Sequence, residues 1–219
     1  MTDTLAVYKA VLFDFDGTLA DSYAAIAASV NHVRAQRGHA ALTVEQVKRF
    51  VGYGADYLLT HTIPDGRLAE DLACYRAHHP GVMVALTQLL PGAAALLLGL
   101  RRIGKKIGLC SNKPRLFSQH LLQHLDIASC FDVVLGPEDV PRPKPAPDML
   151  LAALKRLGLP REQVLYIGDM TVDIQTARSA GVHVWAVATG SDERRTLEDA
   201  KPDRLLADLS ELVAEVAAL

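Results

Sequence analysis

Ala10-Val11-Leu12-Phe13 is a short run without a polar member, and it is followed by Asp14-Phe15-Asp16-Gly17-Thr18. A continuous apolar run of this length, bounded by turn signals, suits a buried strand. Such a strand is not stable alone, so it must join a sheet whose other strands come from elsewhere in the chain. Residues two apart in an extended chain point to the same side. Asp14 and Asp16 are therefore expected to face one cleft at the strand's carboxyl end, where open α/β sheets bind ligands. Two carboxylates held together repel, more so when buried. A cation belongs between them, and a divalent metal is the simplest. The plainer alternative is that Asp14 ends the strand and Asp16-Gly17 is an ordinary turn.

Partner strands for this run lie beyond Pro91, where apolar runs alternate with helical periodicity. A helix near 91–103 precedes a strand at Lys106–Cys110, and one near 115–125 precedes Asp132–Leu135. Helix 147–157 precedes Gln163–Gly168, and helix 171–180 precedes His183–Val187. A short strand at Arg204–Ala207 leads to a final helix. Strands alternating with helices argue for a parallel sheet covered on both faces. The expected fold class is α/β, a Rossmann-like parallel sheet core with an α-helical insertion. The core comprises 1–19 and 88–219, and the insertion 20–87. Within the insertion, Ser22 is the expected N-cap of a helix ending near Arg37-Gly38. Thr43 and Gln46 have the spacing of a capping box. Helical periodicity continues to about residue 79, with breaks expected at Gly52, Pro64-Asp65-Gly66 and Pro80-Gly81 and no strand before 88.

Composition excludes several classes. The 219 residues are half hydrophobic, enough for a substantial core. A net charge of −2 and a pI near 6.4 give no electrostatic basis for nucleic-acid binding. Cys74, Cys110 and Cys130 lack disulfide or zinc spacing, which suits a reduced, cytoplasmic protein. No signal peptide is expected, since Met1-Thr2-Asp3-Thr4 has no basic region. Gly81–Leu100 is free of charge, but Pro91-Gly92 splits it, so no membrane span is expected. His120 and His124 share one helix face without a third ligand and are expected to be solvated or at the core's edge.

The strands end in polar residues. The first leads to Asp14, the second to Ser111-Asn112-Lys113, the third to a proline-alternating segment holding Lys144, and the fourth to Asp169 and Asp173. Parallel strands share one direction, so these groups gather at one sheet edge. Singly, each has a plainer explanation. Ser111-Asn112 suits a helix cap, Lys113 a solvated or a rim residue, Lys144 a surface lysine, and Asp169 and Asp173 helix N-terminal acids. Together they suit phosphoryl transfer. Carboxylates holding Mg²⁺ offset the repulsion between a phosphate dianion and a carboxylate nucleophile. Asp14 is positioned to attack phosphorus, and Asp16 to protonate the leaving alcohol and then take a proton from water. Ser111 and Lys144 are expected on phosphoryl oxygens.

These motifs resemble the haloacid-dehalogenase-like superfamily, within it the phosphoglycolate-phosphatase-like branch, over nearly the whole chain. Asp14-Phe15-Asp16-Gly17-Thr18-Leu19 is similar to its first motif, Cys110-Ser111-Asn112-Lys113 to the second, Lys144 to the third and Gly168-Asp169-Met170-Thr171-Val172-Asp173 to the fourth. The resemblance implies Asp14 as nucleophile and Asp16 as general acid/base. It implies Mg²⁺ bound by Asp14, the Asp16 backbone carbonyl and Asp169, with Asp173 orienting metal-bound water. Ser111, Asn112 and Lys144 would bind phosphate, and the insertion would be a cap whose Gly52-Tyr53-Gly54 loop faces substrate. Lys48 and Arg49 are weaker cap candidates. The expected protein is a Mg²⁺-dependent phosphatase, a phosphoric monoester hydrolase. It would act on a small phosphorylated metabolite, phosphoglycolate first, through a phospho-aspartate. Tyr53 stands where a smaller polar residue is expected, which argues against phosphoglycolate. A sugar phosphomutase and a catalytically silent regulatory subunit on the same fold are the alternatives. Oligomeric state is not legible.

Overall fold

The computed structural model describes residues 4–219. In chain order, β1 (Ala10–Phe13) is followed by β2 (Ala20–Asp21) and four helices: α1 (Tyr23–Gln36), α2 (Val44–Lys48), α3 (Ala55–Thr62) and α4 (Leu68–Met83). The chain returns through β3 (Gln88–Leu89). Then come α5 (Ala93–Arg102), β4 (Lys106–Cys110), α6 (Arg115–His124), β5 (Val133–Leu135) and α7 (Asp148–Leu157). The chain closes with β6 (Val164–Gly168), α8 (Thr171–Ala180), β7 (His183–Val187), α9 (Arg194–Asp199), β8 (Arg204–Leu206) and α10 (Ser210–Ala217).

Six strands form one parallel sheet in the order β5-β4-β1-β6-β7-β8. β1 is an interior strand flanked by β4 and β6, with Phe13 opposite Leu109 and Ile167. Strand order reverses beside β1, which makes its carboxyl end the crevice of a doubly wound sheet. Each strand divides its side chains between two cores by simple alternation. Val11 and Phe13 pack with Leu96, Leu97 and Leu212 from α5 and α10, whereas Ala10 and Leu12 pack with Met149, Leu150 and Ile174 from α7 and α8. Both faces are thus buried, as the apolar run required.

The helices between β2 and β3 have a third cluster of their own, including Ile26, Val30, Val47, Leu59 and Tyr75. Two expectations for this segment need correction. Ala20–Asp21 is a strand, paired antiparallel with Gln88–Leu89, so the two chain crossings are hydrogen-bonded together. Two residues carry no readable alternation. The helix α4 also runs through Pro80-Gly81 instead of stopping. A proline removes one helical hydrogen bond, and the flanking His79 and Met83, each about 1 % exposed, are packed tightly enough to hold the helix across it. The Thr43–Gln46 capping box is present in both directions.

Among the described residues no helix is long and apolar enough to cross a membrane. The three cysteines are free, and His120 and His124 are exposed on α6.

Candidate active site

The loop after β1 turns sharply back on itself. Gly17 has φ +83°, and a β-carbon there would run into the Tyr23 hydroxyl and the Asp169 carboxylate. Only glycine fits both constraints. The turn leaves Asp14 and Asp16 lining one small cavity, as i and i+2 spacing implied.

Asp14 is buried, and its Oδ2 lies 3.0 Å from Lys144 Nζ. Its Oδ1 is buried without a hydrogen-bond partner among the described residues. The Lys144 ammonium also donates to Asp173 Oδ1 at 2.7 Å and lies 3.1 Å from the Tyr166 hydroxyl. That hydroxyl is 2.9 Å from both Asp173 Oδ1 and the Cys110 carbonyl. Asp173 Oδ2 accepts from the Met170 N–H at the start of α8. Asp169 accepts from Thr18 Oγ1 at 2.8 Å and from the Ser191 N–H at 2.9 Å. Lys144 is the one buried member of its proline-alternating segment; Pro143 and Pro145 on either side are exposed.

The electrostatics follow from burial. Desolvation pushes the Asp14 carboxyl up to about 6, and Asp173 adds to the rise while Lys144 opposes it. Asp169 is raised well above the ordinary carboxylate range by burial, then by Asp173 and Asp14. Burial pulls on the Lys144 ammonium too, but Asp14 and Asp173 outweigh it and hold its pKa above that of a free lysine. Lys144 therefore contacts two of the three buried acids, Asp14 and Asp173, while Asp169 accepts from the neutral donors Thr18 and Ser191. Oxygens of Asp14, Asp169 and Asp173 lie within 4.8 Å of one another. An all-oxygen donor set of this kind suits a hard divalent cation, and the unpartnered Asp14 Oδ1 points to the same conclusion. Asp173 already accepts from three protein donors, which leaves Asp14 and Asp169 as the carboxylates best able to hold such an ion.

Four expected roles are revised by the geometry. Lys113 is not a solvated rim residue: its side chain is 4 % exposed, and Nζ lies 2.9 and 3.1 Å from the two Asp16 oxygens. The ammonium lies in the cavity wall, paired with that carboxylate. The Ser22 hydroxyl does not cap α1; it donates to Asp16 Oδ1. The Asn112 side chain is fully engaged with backbone. It donates to the carbonyls of Lys144 and Gly52, both at 3.0 Å, and accepts from the Lys144 N–H at 3.0 Å. It thus positions the Lys144 loop. Tyr53 turns out of the cavity and packs on Tyr57, ring centroids 4.8 Å apart, in a neighbouring groove. Gly52 and Gly54 do line the cavity. Ser111 lies against Asp14, its hydroxyl favouring the carboxylate form. Lys48 sits over the Tyr23 ring and Arg49 is exposed.

Sequence reasoning missed Tyr166, Thr18, Ser191, Tyr75 and His79. Tyr166 was hidden in an apolar strand. Tyr75 and His79 lie one turn apart on α4 and line the cavity opposite Asp14 and Asp16. Burial, then Lys113, lowers the His79 imidazolium to about 3, and its Nδ1 is 2.9 Å from the Ser29 hydroxyl.

The chain is similar to several known proteins. A protein from Pseudomonas savastanoi pv. phaseolicola, called phosphoglycolate phosphatase, is 32 % identical over 94 % of this chain and 78 % of its own length. One of the same name from Cereibacter sphaeroides is 38 % identical over 78 % of this chain and 81 % of its own. The crystal structure of a haloacid dehalogenase-like hydrolase from Bacteroides fragilis superposes with a TM-score of 0.87 at 34 % identity. It covers 94 % of this chain and 99 % of that one. The model of the haloacid dehalogenase-like hydrolases matches residues 11–187, a span holding every strand-end group described above, and the chain belongs to that family.

Proposed function

We propose that the protein is a Mg²⁺-dependent phosphatase that hydrolyses a small phosphate monoester, phosphoglycolate first, through an aspartyl-phosphate. The observation that carries the reading is Asp14: a buried carboxylate beside a charged lysine, at the crevice of the sheet, with one oxygen unpartnered. The relatives named phosphoglycolate phosphatase support the choice of substrate.

In this reading Asp14 attacks phosphorus, the ester oxygen leaves, and Asp16 delivers the proton that makes it an alcohol. Asp16 then takes a proton from the water that attacks the aspartyl-phosphate, releasing inorganic phosphate and restoring Asp14. Lys144 holds a phosphoryl oxygen with fixed positive charge, and the Ser111 hydroxyl and nearby N–H groups hold others. Asn112 keeps the Lys144 loop in register, and Tyr166 and Asp173 aim its ammonium. Asp14 and Asp169 would hold Mg²⁺, which when bound supplies charge that offsets repulsion between nucleophile and phosphate. The helical insertion acts as a cap that excludes bulk water.

Phosphate release from phosphoglycolate, measured with and without Mg²⁺, tests this. We expect chelation to abolish release and Asp14→Asn to lower it by at least about 10³-fold. An Asn variant with near-normal turnover would remove Asp14 from the nucleophile's role.

A further inference from the structure

A second, larger groove runs along the seam between the helical insertion and the sheet. Its volume is about 580 Å³, against about 50 Å³ for the catalytic cavity. The two share a lip: Gly54 and Ala55 from the insertion, and Asn112 and Pro114 from the core, line both. The lip is open at Gly54, where a β-carbon would meet nothing within 4 Å. Asp14, Asp16 and Ser111 line the cavity and not the groove, so phosphoryl transfer to water makes no demand on it. Tyr53, 37 % exposed, lines the groove from the insertion. Tyr57 backs that ring at 4.8 Å and His61 backs Tyr57 at 3.9 Å, so Tyr53 stands at the end of a row of rings. Pro114, Pro137 and Pro143 line the groove from the core. Proline rings and a backed aromatic ring lose little freedom when they are covered. Walls of this kind suit a flat ring, which gains from contact with an aromatic neighbour beyond the area it buries. The charged residues of the groove are Arg76, Asp56 and Glu138. One cation against two acids does not favour an anion there.

We infer that the protein has a second class of substrates: phosphate monoesters of primary alcohols that carry an aromatic or heteroaromatic ring, with the ring seated in this groove against Tyr53. This goes beyond the small ester and rests on the phosphatase reading. The chemistry is unchanged. The bond between phosphorus and the ester oxygen breaks, the alcohol leaves with a proton from Asp16, and water completes the released phosphate. What differs is where the leaving group lies. A short alcohol stays inside the lip, whereas a longer one passes between Ala55 and Pro114 and places its ring beside Tyr53.

A pair of esters separates the cases: 2-phenylethyl phosphate and 2-cyclohexylethyl phosphate share a chain and a primary alcohol, and differ in the flatness of the ring. Their homologues with a shorter and a longer chain cover the distance to the groove, and phosphoglycolate is the control. With Mg²⁺, wild type is expected to favour the phenyl ester over its cyclohexyl partner by about 3- to 10-fold in kcat/KM at one chain length or more, chiefly through KM. Tyr53→Leu should bring that ratio to about one. Ala55→Leu narrows the lip and should lower kcat/KM for both ring esters relative to phosphoglycolate. Titration of the Asp14→Asn protein with the same pairs reads the preference without turnover, and needs no Tyr53 variant to fold. Equal affinities of phenyl and cyclohexyl esters at every chain length, or a preference unchanged in Tyr53→Leu, would overturn the inference while turnover of phosphoglycolate leaves the phosphatase reading standing. No phosphate release from any ester, phosphoglycolate included, would overturn both.

Discussion

Lys144 shows how a single residue's charge state organises the centre. Burial penalises its ammonium, yet contacts at 2.7 and 3.0 Å with Asp173 and Asp14 keep it protonated. Removing one partner of such a cluster strands the others. Lys144→Met is expected to lower stability by about 3–5 kcal/mol, read by denaturant titration, besides abolishing activity. Asp14 makes a pH prediction. Its carboxyl titrates near 6 when folded and near 3.8 when free, so between those values the folded state binds more protons. The stability tied to this group is present below about pH 4 and is lost as pH rises through 6. Mg²⁺ competes with that proton. The rise in melting temperature that Mg²⁺ produces should therefore be larger at pH 7 than at pH 5, and equal rises would contradict the assignment.

Among the elements, α4 carries the most unexpected chemistry. His79 sits beside Lys113, Asp16 and His78, neutral in the fold and charged in the unfolded chain below about 6.5. The folded state binds fewer protons between 3 and 6.5, so stability tied to His79 is intact above 6.5 and is lost on acidification. His79→Gln should flatten the decline in melting temperature between pH 6.5 and 4.5. Elements were legible where a pattern was long enough to repeat. β1, β4 and β7 have the bounds expected of them, β4 and β7 each opening on one exposed polar residue before an apolar run, and Met149, Leu150, Ala153, Leu154 and Leu157 mark the buried stripe of α7. β2 and β3 have two residues each and α9 buries only Leu197, so none offered a period. The motif acids could be placed because strand ends fix direction. Lys113 could not, since an ammonium's partner lies across the fold from a residue 97 positions away.

Taken whole, the molecule is a sheet with a helical cluster laid over its carboxyl edge. The two bodies touch through Asn112 and the Gly52 carbonyl, through Tyr23 and Ser191, and through Ser22 and Asp16. The cavity between them is small, about 50 Å³. A phosphate ester is large for that space, and the proposed cap is expected to lift for entry. Gly52 has φ +109°, and a β-carbon there would strike the Met170 sulfur. Gly52→Ala should disfavour closure by about 1–3 kcal/mol, lowering kcat/KM about tenfold or more while the far-UV spectrum stays unchanged.

The paired crossings β2 and β3 have a consequence for how such proteins diversify. Ala20 faces Leu89 and Asp21 faces Gln88, so the two ends of the intervening segment are pinned about 5 Å apart. A folded unit whose own termini match that spacing, and that replaces the contacts of Ser22 with Asp16 and of Gly52 with Asn112, can be spliced in over the same strand ends. The joint would make the proposed cap an exchangeable cassette, and swapping it a route to new substrates over the same strand-end acids.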